Sequence, residues 1–381
     1  MRQFSRKILT AASVFMLSTS AISLNASAHD VICEVDCPTP KIQIALLLDT
    51  SNSMDGLISQ TKSQLWMLVN ELGETDHNGQ TPQIELALYE YGNSNVSVAK
   101  GYIRQVMPLS TDLDGVSEKL FALKTQGGQE YAGQVISTAV ENLEWSDNPA
   151  DMKLVIIAGN EPFTQGPVNY RTACEQAREK GILIDTIHCG DEKIGIDTEW
   201  KAGADCGGGI YMTINQDEVA QYIASPYDDE ILQLNKALND TYFGYGSLGE
   251  SYKERQIVQD SNASSMSVSS AISRAKSKSS VQYNNATWDI VDRYKDDRDS
   301  VLEMEEAALP DEMKGMSAEE KVAFIEGTIE KREKISEKIS TLETQRTEFV
   351  DKKRSEMAEE QTLEQVVVSA VRAQAATHGF K

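Results

Sequence analysis

Residues 41–53 read KIQIALLLDTSNS, and this stretch decides the fold. Ile42, Ile44, Ala45, Leu46, Leu47 and Leu48 form an apolar run too short for a buried helix and too uniformly apolar for a strand with one wet face. It reads as a central parallel strand covered on both sides. The run stops at Asp49. Asp49, Ser51 and Ser53 then alternate with Thr50 and Asn52 before a helical pattern opens at Met54. Three small oxygen-bearing side chains thus converge where a strand ends and a helix starts. In open α/β sheets that edge, outside the carboxyl ends of the strands, is where ligands bind.

A carboxylate and two hydroxyls at alternating positions of one turn can face a common point. All are hard oxygen donors, which select Mg2+, Mn2+ or Ca2+ over zinc. The same residues also suit an Asp/Ser turn with Ser53 as helix N-cap. The strand, turn and helix together carry a resemblance: Asp49-Thr50-Ser51-Asn52-Ser53 after a buried strand is similar to the metal-ion-dependent adhesion site of von Willebrand factor A domains.

The rest of the chain extends that pattern. Leu57, Ile58, Leu65, Leu68, Val69 and Leu72 recur at helical spacing, with a stop near Gly73. Ile84, Leu86 and Leu88 alternate with polar neighbours, and 98–106 is a second mixed stretch, so two strands are expected to pair across Gly92–Asn95. Helices are expected over 114–123, 135–143, 170–180 and 217–223, with strands over 153–157 and 182–187 and around 210–212. Alternating helices and apolar strands predict a doubly wound, mainly parallel α/β sheet. One early antiparallel hairpin is what the A-domain family has. Gly207-Gly208-Gly209 leads into a strand rather than a helix, so it reads as a tight turn and not as a phosphate loop.

In the family, further metal ligands come from two later loops: a Thr, or in some bacterial members an acidic residue, after a Gly-Gly pair, and an Asp after the fourth strand. Here Gly127-Gly128 is followed by Gln129 and Glu130, with no Thr, and the Asp is replaced by Asn160 or, on a one-residue shift, by Gly159. The resemblance therefore implies a site of Asp49, Ser51, Ser53, Glu130 or Gln129, and Asn160. Its divalent cation would be Mg2+ first, with Ca2+ or Mn2+ as alternatives, since Ca2+ accepts neutral carbonyl oxygens and irregular shells. Glu130 also suits a solvated helix start and Asn160 a turn former.

The first residues are not part of that fold. Arg2, Arg6 and Lys7 precede an apolar stretch from Ile8 to Leu24, and Ala26-Ser27-Ala28 fits a signal-peptidase site, so 1–28 reads as a signal for export to the periplasm or beyond. No later stretch has the roughly 20 apolar residues of a membrane helix. The full chain carries a net charge of −23, and the part after residue 28 holds 33 Lys and Arg against 59 Asp and Glu. That excess argues against nucleic acid and anionic membrane surfaces as partners, and suits divalent cations. An oxidising compartment permits disulfides. Cys33 with Cys37, and Cys189 with Cys206, are the pairings considered, and the five cysteines leave one over. Zinc on His188, Cys189 and Cys206 lacks a second close ligand pair.

The expected organisation is a signal at 1–28, a short segment at 29–40, an A domain at 41–226 and an all-α region at 227–381. In the last, Ser261–Ser280 suits a flexible linker or a helix with a small-residue face, the spacing of Met266, Val268, Ile272 and Ala275 favouring the helix, and Trp288, Val291, Tyr294 and Val301 share a stripe. Ser317-x-x-Glu320 is a capping box before a long helix, and 363–376 adds a last one. The heptad phase slips between Ile329 and Ile335, so a helical hairpin or bundle is expected rather than a long parallel coiled coil. This region could serve as a stalk, an oligomerisation surface or a second docking site.

The resemblance implies a non-enzymatic module that binds a protein partner's acidic residue through the cation. Two other readings stand beside it: a scaffold whose metal site has decayed, suggested by the missing Thr and Asp, and a metal-dependent hydrolase. For the hydrolase there is no nucleophile elbow, no Ser/His/Asp order, and no ligand spacing among His77, His188 and His378.

Overall fold

The computed structural model describes residues 39–214, 222–357 and 363–381. The expected signal, Cys33 and Cys37 lie outside the described residues, as does most of the helix expected over 217–223. The strands are β1 (Lys41–Asp49), β2 (Gln83–Tyr91), β3 (Arg104–Ser110), β4 (Met152–Gly159), β5 (Leu183–Cys189) and β6 (Gly208–Ile214). The first helices are α1 (Asp55–Gly73), α2 (Leu113–Phe121), α3 (Ala132–Asn142), α4 (Tyr170–Glu179), α5 (Glu192–Asp197) and α6 (Trp200–Gly207). After them come α7 (Asp228–Asn239), α8 (Gly249–Met266), α9 (Val268–Ser279), α10 (Ile290–Asp296), α11 (Arg298–Leu302), α12 (Ala318–Met357) and α13 (Leu363–Thr377).

The six strands run in the order β3-β2-β1-β4-β5-β6. Only the β2–β3 pair is antiparallel. The order reverses between β1 and β4, and this places the end of β1 at the switch point. Every residue of β1 after Lys41 is buried, because alternate side chains feed two cores. Ile42, Ile44, Leu46 and Leu48 point to the layer under α1, α2 and α13, while Ala45 and Leu47 point to the layer under α3, α4 and α6.

Strand β3 starts at Arg104, later than the sequence suggests. The connection from Gly92 to Ile103 holds a short 3-10 turn at Val98–Lys100 instead of a four-residue hairpin turn. Two helical stretches are also split by caps. The Ser267 hydroxyl accepts from Ser270 N at 2.9 Å and starts α9, and Asp297 Oδ1 accepts from Ser300 N at 3.1 Å and starts α11. The capping box at Ser317 and Glu320 forms in both directions, at 2.8 and 3.2 Å.

Residues 39–381 make one compact unit. Helix α9 packs on α1, where Asn70 Nδ2 donates to Ser273 O at 2.8 Å and the Ser277 hydroxyl donates to Asn70 Oδ1 at 2.6 Å. The buried Arg274 guanidinium bridges Asp114 of α2 and Asp260 of α8, at 2.7 and 2.5 Å. Helix α12 contributes Ile339 and Leu342 to a core with α7 and α9, and its Arg332 reaches Asp289 and Asp292 at 2.9 and 2.8 Å. Among the described residues no second helix of comparable length runs beside α12. The end of the chain returns to the sheet. Val371, Ala375 and Phe380 join the core under α1, and Asp76 and Lys381 exchange two backbone hydrogen bonds of 2.8 Å.

Candidate metal centre

Four segments meet at the carboxyl end of β1. Hydrogen bonds stitch them together: Thr50 N donates to Tyr91 O at 2.9 Å, Gln126 N to Thr50 O at 2.8 Å, and Gly127 N to the Asn52 side-chain Oδ1 at 2.8 Å. Gly92 takes φ +77°, a conformation that favours glycine. A Cβ there would stand 2.8 Å from both Asp49 Oδ1 and Glu130 Cγ, so the missing side chain makes the space in which these two carboxylates approach.

Asp49 is fully buried. Its Oδ1 accepts from Ser51 N at 2.7 Å, while its Oδ2 is buried and without a hydrogen-bond partner. The Ser51 and Ser53 hydroxyls stand 3.3 Å apart, and Asn160 Nδ2 donates to Ser53 Oγ at 3.1 Å. That leaves Asn160 Oδ1 buried and unmatched. Glu130 is 8% exposed; its backbone N donates to Gln165 Oε1 at 2.7 Å, and its Oε2 is likewise unmatched. Gln129 is exposed, with no hydrogen bond into the cluster among the described residues. Glu130, not Gln129, therefore occupies this corner.

The electrostatics agree with the geometry. Burial pushes the Asp49 carboxyl up to about 7, opposed by the Ser51 amide and hydroxyl and reinforced by Glu161. Burial pushes Glu130 up to about 8, with Asp49 and Glu161 adding to the rise. Among the described residues no lysine or arginine offsets either carboxylate. The unmatched atoms are acceptors only, and a buried acceptor without a donor costs about 1–3 kcal/mol.

Two contributors escaped the sequence reading. Tyr91 is opposite Asp49 in the β1–β2 register, and its hydroxyl donates to Ala158 O at 2.9 Å; only the register could have revealed it. Glu161 was legible as an acid in the loop after β4, but Asn160 fitted the family position better. Gly159 holds no ligand, because a Cβ there would meet the Tyr91 hydroxyl at 2.4 Å.

The Cys189–Cys206 pairing is not formed in this structure, while Cys33 and Cys37 lie outside the described residues. Cys174, Cys189 and Cys206 are free thiols. Cys189 lies in the core on one face of the sheet, while Cys206 packs against the core on the other, so the sheet separates them. Among the described residues no group of three or more His, Cys, Asp and Glu stands ready to hold a metal, which removes the zinc idea at His188. The corner at Asp49 has two carboxylates, hydroxyls and an amide oxygen instead.

This strand order, with its acceptor cluster at the switch point, coincides with a match of residues 43–195 to the family model of the von Willebrand factor type A domain. Residues 43–195 form a von Willebrand factor A domain. Solved A-domain structures resemble it at low identity. Proximal thread matrix protein 1 from the mussel byssus, in a structure with a zinc-occupied metal-ion-dependent adhesion site, is 15% identical, with a TM-score of 0.37 over 48% of this chain and 43% of that one. The conserved hypothetical protein BatB from Bacteroides thetaiotaomicron is 16% identical, with a TM-score of 0.35 over 45% of this chain and 90% of that one. The domain of the type V pili tip protein Mfa5 from Porphyromonas gingivalis is 12% identical, with a TM-score of 0.33 over 46% and 91%. The chain spans about two fifths of the length of the mussel protein. No curated protein matches it. A domains are for the most part interaction modules rather than enzymes, and many hold a divalent cation at this corner. Among the described residues no helix is long and apolar enough to cross a membrane.

Proposed function

We propose that this chain is exported and binds a protein partner through a divalent cation held by Asp49, Ser51, Ser53, Glu130 and Asn160. One observation carries the reading: Asp49 Oδ2, Glu130 Oε2 and Asn160 Oδ1 are buried acceptors that no donor meets. A hard cation would supply what these oxygens lack, and Mg2+ fits the oxygen set first, with Ca2+ or Mn2+ as alternatives. When bound, the cation supplies a Lewis-acidic centre for an acidic side chain of the partner.

The chain's own residues set the terms. Asp49 is held by the Ser51 amide so that one oxygen stays free for the cation. Ser51 and Ser53 add neutral donors, and these leave more of the cation's charge for an incoming carboxylate. Glu130 replaces the neutral Thr of other A domains with a second negative charge. That strengthens the hold on the metal and weakens the pull on the partner. The long acidic excess of the chain suits a partner with basic surface around its acidic anchor.

Capture from an envelope extract tests the reading. Partner retention is expected to disappear with EDTA and in Asp49→Ala, while circular dichroism stays unchanged. Capture that persists in both contradicts it. A second reading is favoured by the approach of Asp49 and Glu130 across Gly92, both pushed up by burial: a proton on either carboxyl would relieve the pair without metal, leaving a scaffold. It predicts the same capture with and without chelator.

A further inference from the structure

Two thiols that the metal centre does not use sit on neighbouring helices, Cys174 on α4 and Cys206 on α6. Cys174, on α4, is fully buried, and its Sγ donates to Gly203 O at 3.7 Å. Gly203 lies three residues before Cys206 on α6, and residues at that spacing share a helix face. Both thiols belong to the core layer under α3, α4 and α6, and the nearby Cys206 adds to the rise that burial imposes on Cys174. Cys189 lies in the other layer.

We propose that Cys174 and Cys206 form a disulfide, closed by a disulfide-bearing oxidant, that staples α4 to α6. Cys206 is half-buried and so the thiol that an oxidant reaches first. Its thiolate attacks one sulfur of the oxidant and expels the other. Cys174 then gives up its proton and attacks the Cys206 sulfur of this mixed disulfide, releasing the oxidant sulfur bound to Cys206. The two protein thiols lose two electrons, one oxidant disulfide becomes two thiols, and the two protons go to the departing thiolates. Burial holds the Cys174 thiol in its protonated form, which makes it the resolving partner rather than the first attacker.

The staple acts on the site through α6. Phe163 N donates to Thr198 O at 3.0 Å, Trp200 Nε1 donates to Glu161 O at 2.9 Å, and the bare Cα of Gly203 admits the Phe163 ring, 2.3 Å from where a Cβ would be. Helix α6 thus backs the loop that carries Asn160 and Glu161. The inference goes beyond the adhesive reading and stands whether or not a metal binds.

Peptide mapping tests it on the full chain. The protein is purified reduced, exposed to oxidised glutathione, blocked with N-ethylmaleimide and digested with trypsin without reduction. Cys174 falls in peptide 172–178, Cys189 in 181–193 and Cys206 in 202–236. The expected result is 172–178 joined to 202–236, with Cys189 alkylated. Reduction should lower the unfolding midpoint by several degrees in the native sequence and leave Cys206→Ser unmoved. Alkylation of both Cys174 and Cys206, or Cys206 joined to Cys189, overturns the proposal.

Discussion

Asp49 and Tyr91 stand opposite each other at the last register position of β1 and β2, and the Tyr91 hydroxyl reaches across β1's end to bond Ala158 O of β4 at 2.9 Å. Tyr91 thus ties together the strands on both sides of Asp49. It also explains Gly159, whose Cβ would collide with that hydroxyl.

Tyr91→Phe removes the donor and leaves Ala158 O buried, which should cost about 1–3 kcal/mol in urea unfolding. Gly159→Ala should cost more alone than in the Tyr91→Phe background, where the obstructing oxygen is gone. Equal costs in both backgrounds would show that the two residues are not coupled.

The carboxyl pair sets a pH dependence. Asp49 rises from 3.8 to about 7 and Glu130 from 4.5 to about 8, each above its unfolded value. The folded state therefore binds more protons than the unfolded one between these limits, so metal-free stability falls as pH rises from about 4 to about 8. Thermal melts in EDTA should show a lower midpoint at pH 8 than at pH 5. Asp49→Asn should flatten that slope. A midpoint that rises with pH across this range would refute the assignment.

The helical half is locked to the A domain through Arg274, which is 1% exposed between Asp114 and Asp260. Arg274→Ala leaves the buried Asp114 carboxylate without its guanidinium partner and should cost about 3–5 kcal/mol. Burial tends to raise the Asp260 carboxyl, but Lys278 and then Arg274 outweigh it and hold it at about 2. Its contribution is thus present above about pH 4 and lost as pH falls towards 2. Unfolding of the native chain should be a single transition by tryptophan fluorescence and circular dichroism alike.

Phe380 is buried in the core under α1, with the His77 ring edge-on at 4.6 Å. Phe380→Ala should cost about 3–5 kcal/mol and raise amide exchange at Asp76, whose partner is Lys381. Unchanged exchange at Asp76 would mean that the end of the chain is not a clamp.

The sheet was legible because β1 and β4 are apolar runs with no competing interpretation, and the turn 49–53 carries its chemistry in adjacent residues. Glu130 and Asn160 were legible as candidates through the Gly-Gly pair and the loop after β4. Choosing Glu130 over Gln129 needed the space left by Gly92, a neighbour remote in sequence. The caps at Ser267 and Asp297 were hidden inside continuous helical stripes, because one Ser or Asp ends a helix without breaking the apolar period. The docking of α9 on α1 was illegible for a related reason: it runs through Asn70, Ser273, Ser277 and Arg274, polar residues that look solvated in one dimension.

The unmatched acceptors at Asp49, Glu130 and Asn160 are proposed to form a cation site. Titration of the metal-free chain with Mn2+ at pH 8, read by electron paramagnetic resonance, tests it most directly. The account predicts one ion bound per chain, lost in Asp49→Ala with the fold intact and weakened in Glu130→Gln. No binding by the native chain, or the same binding by Asp49→Ala, would contradict it.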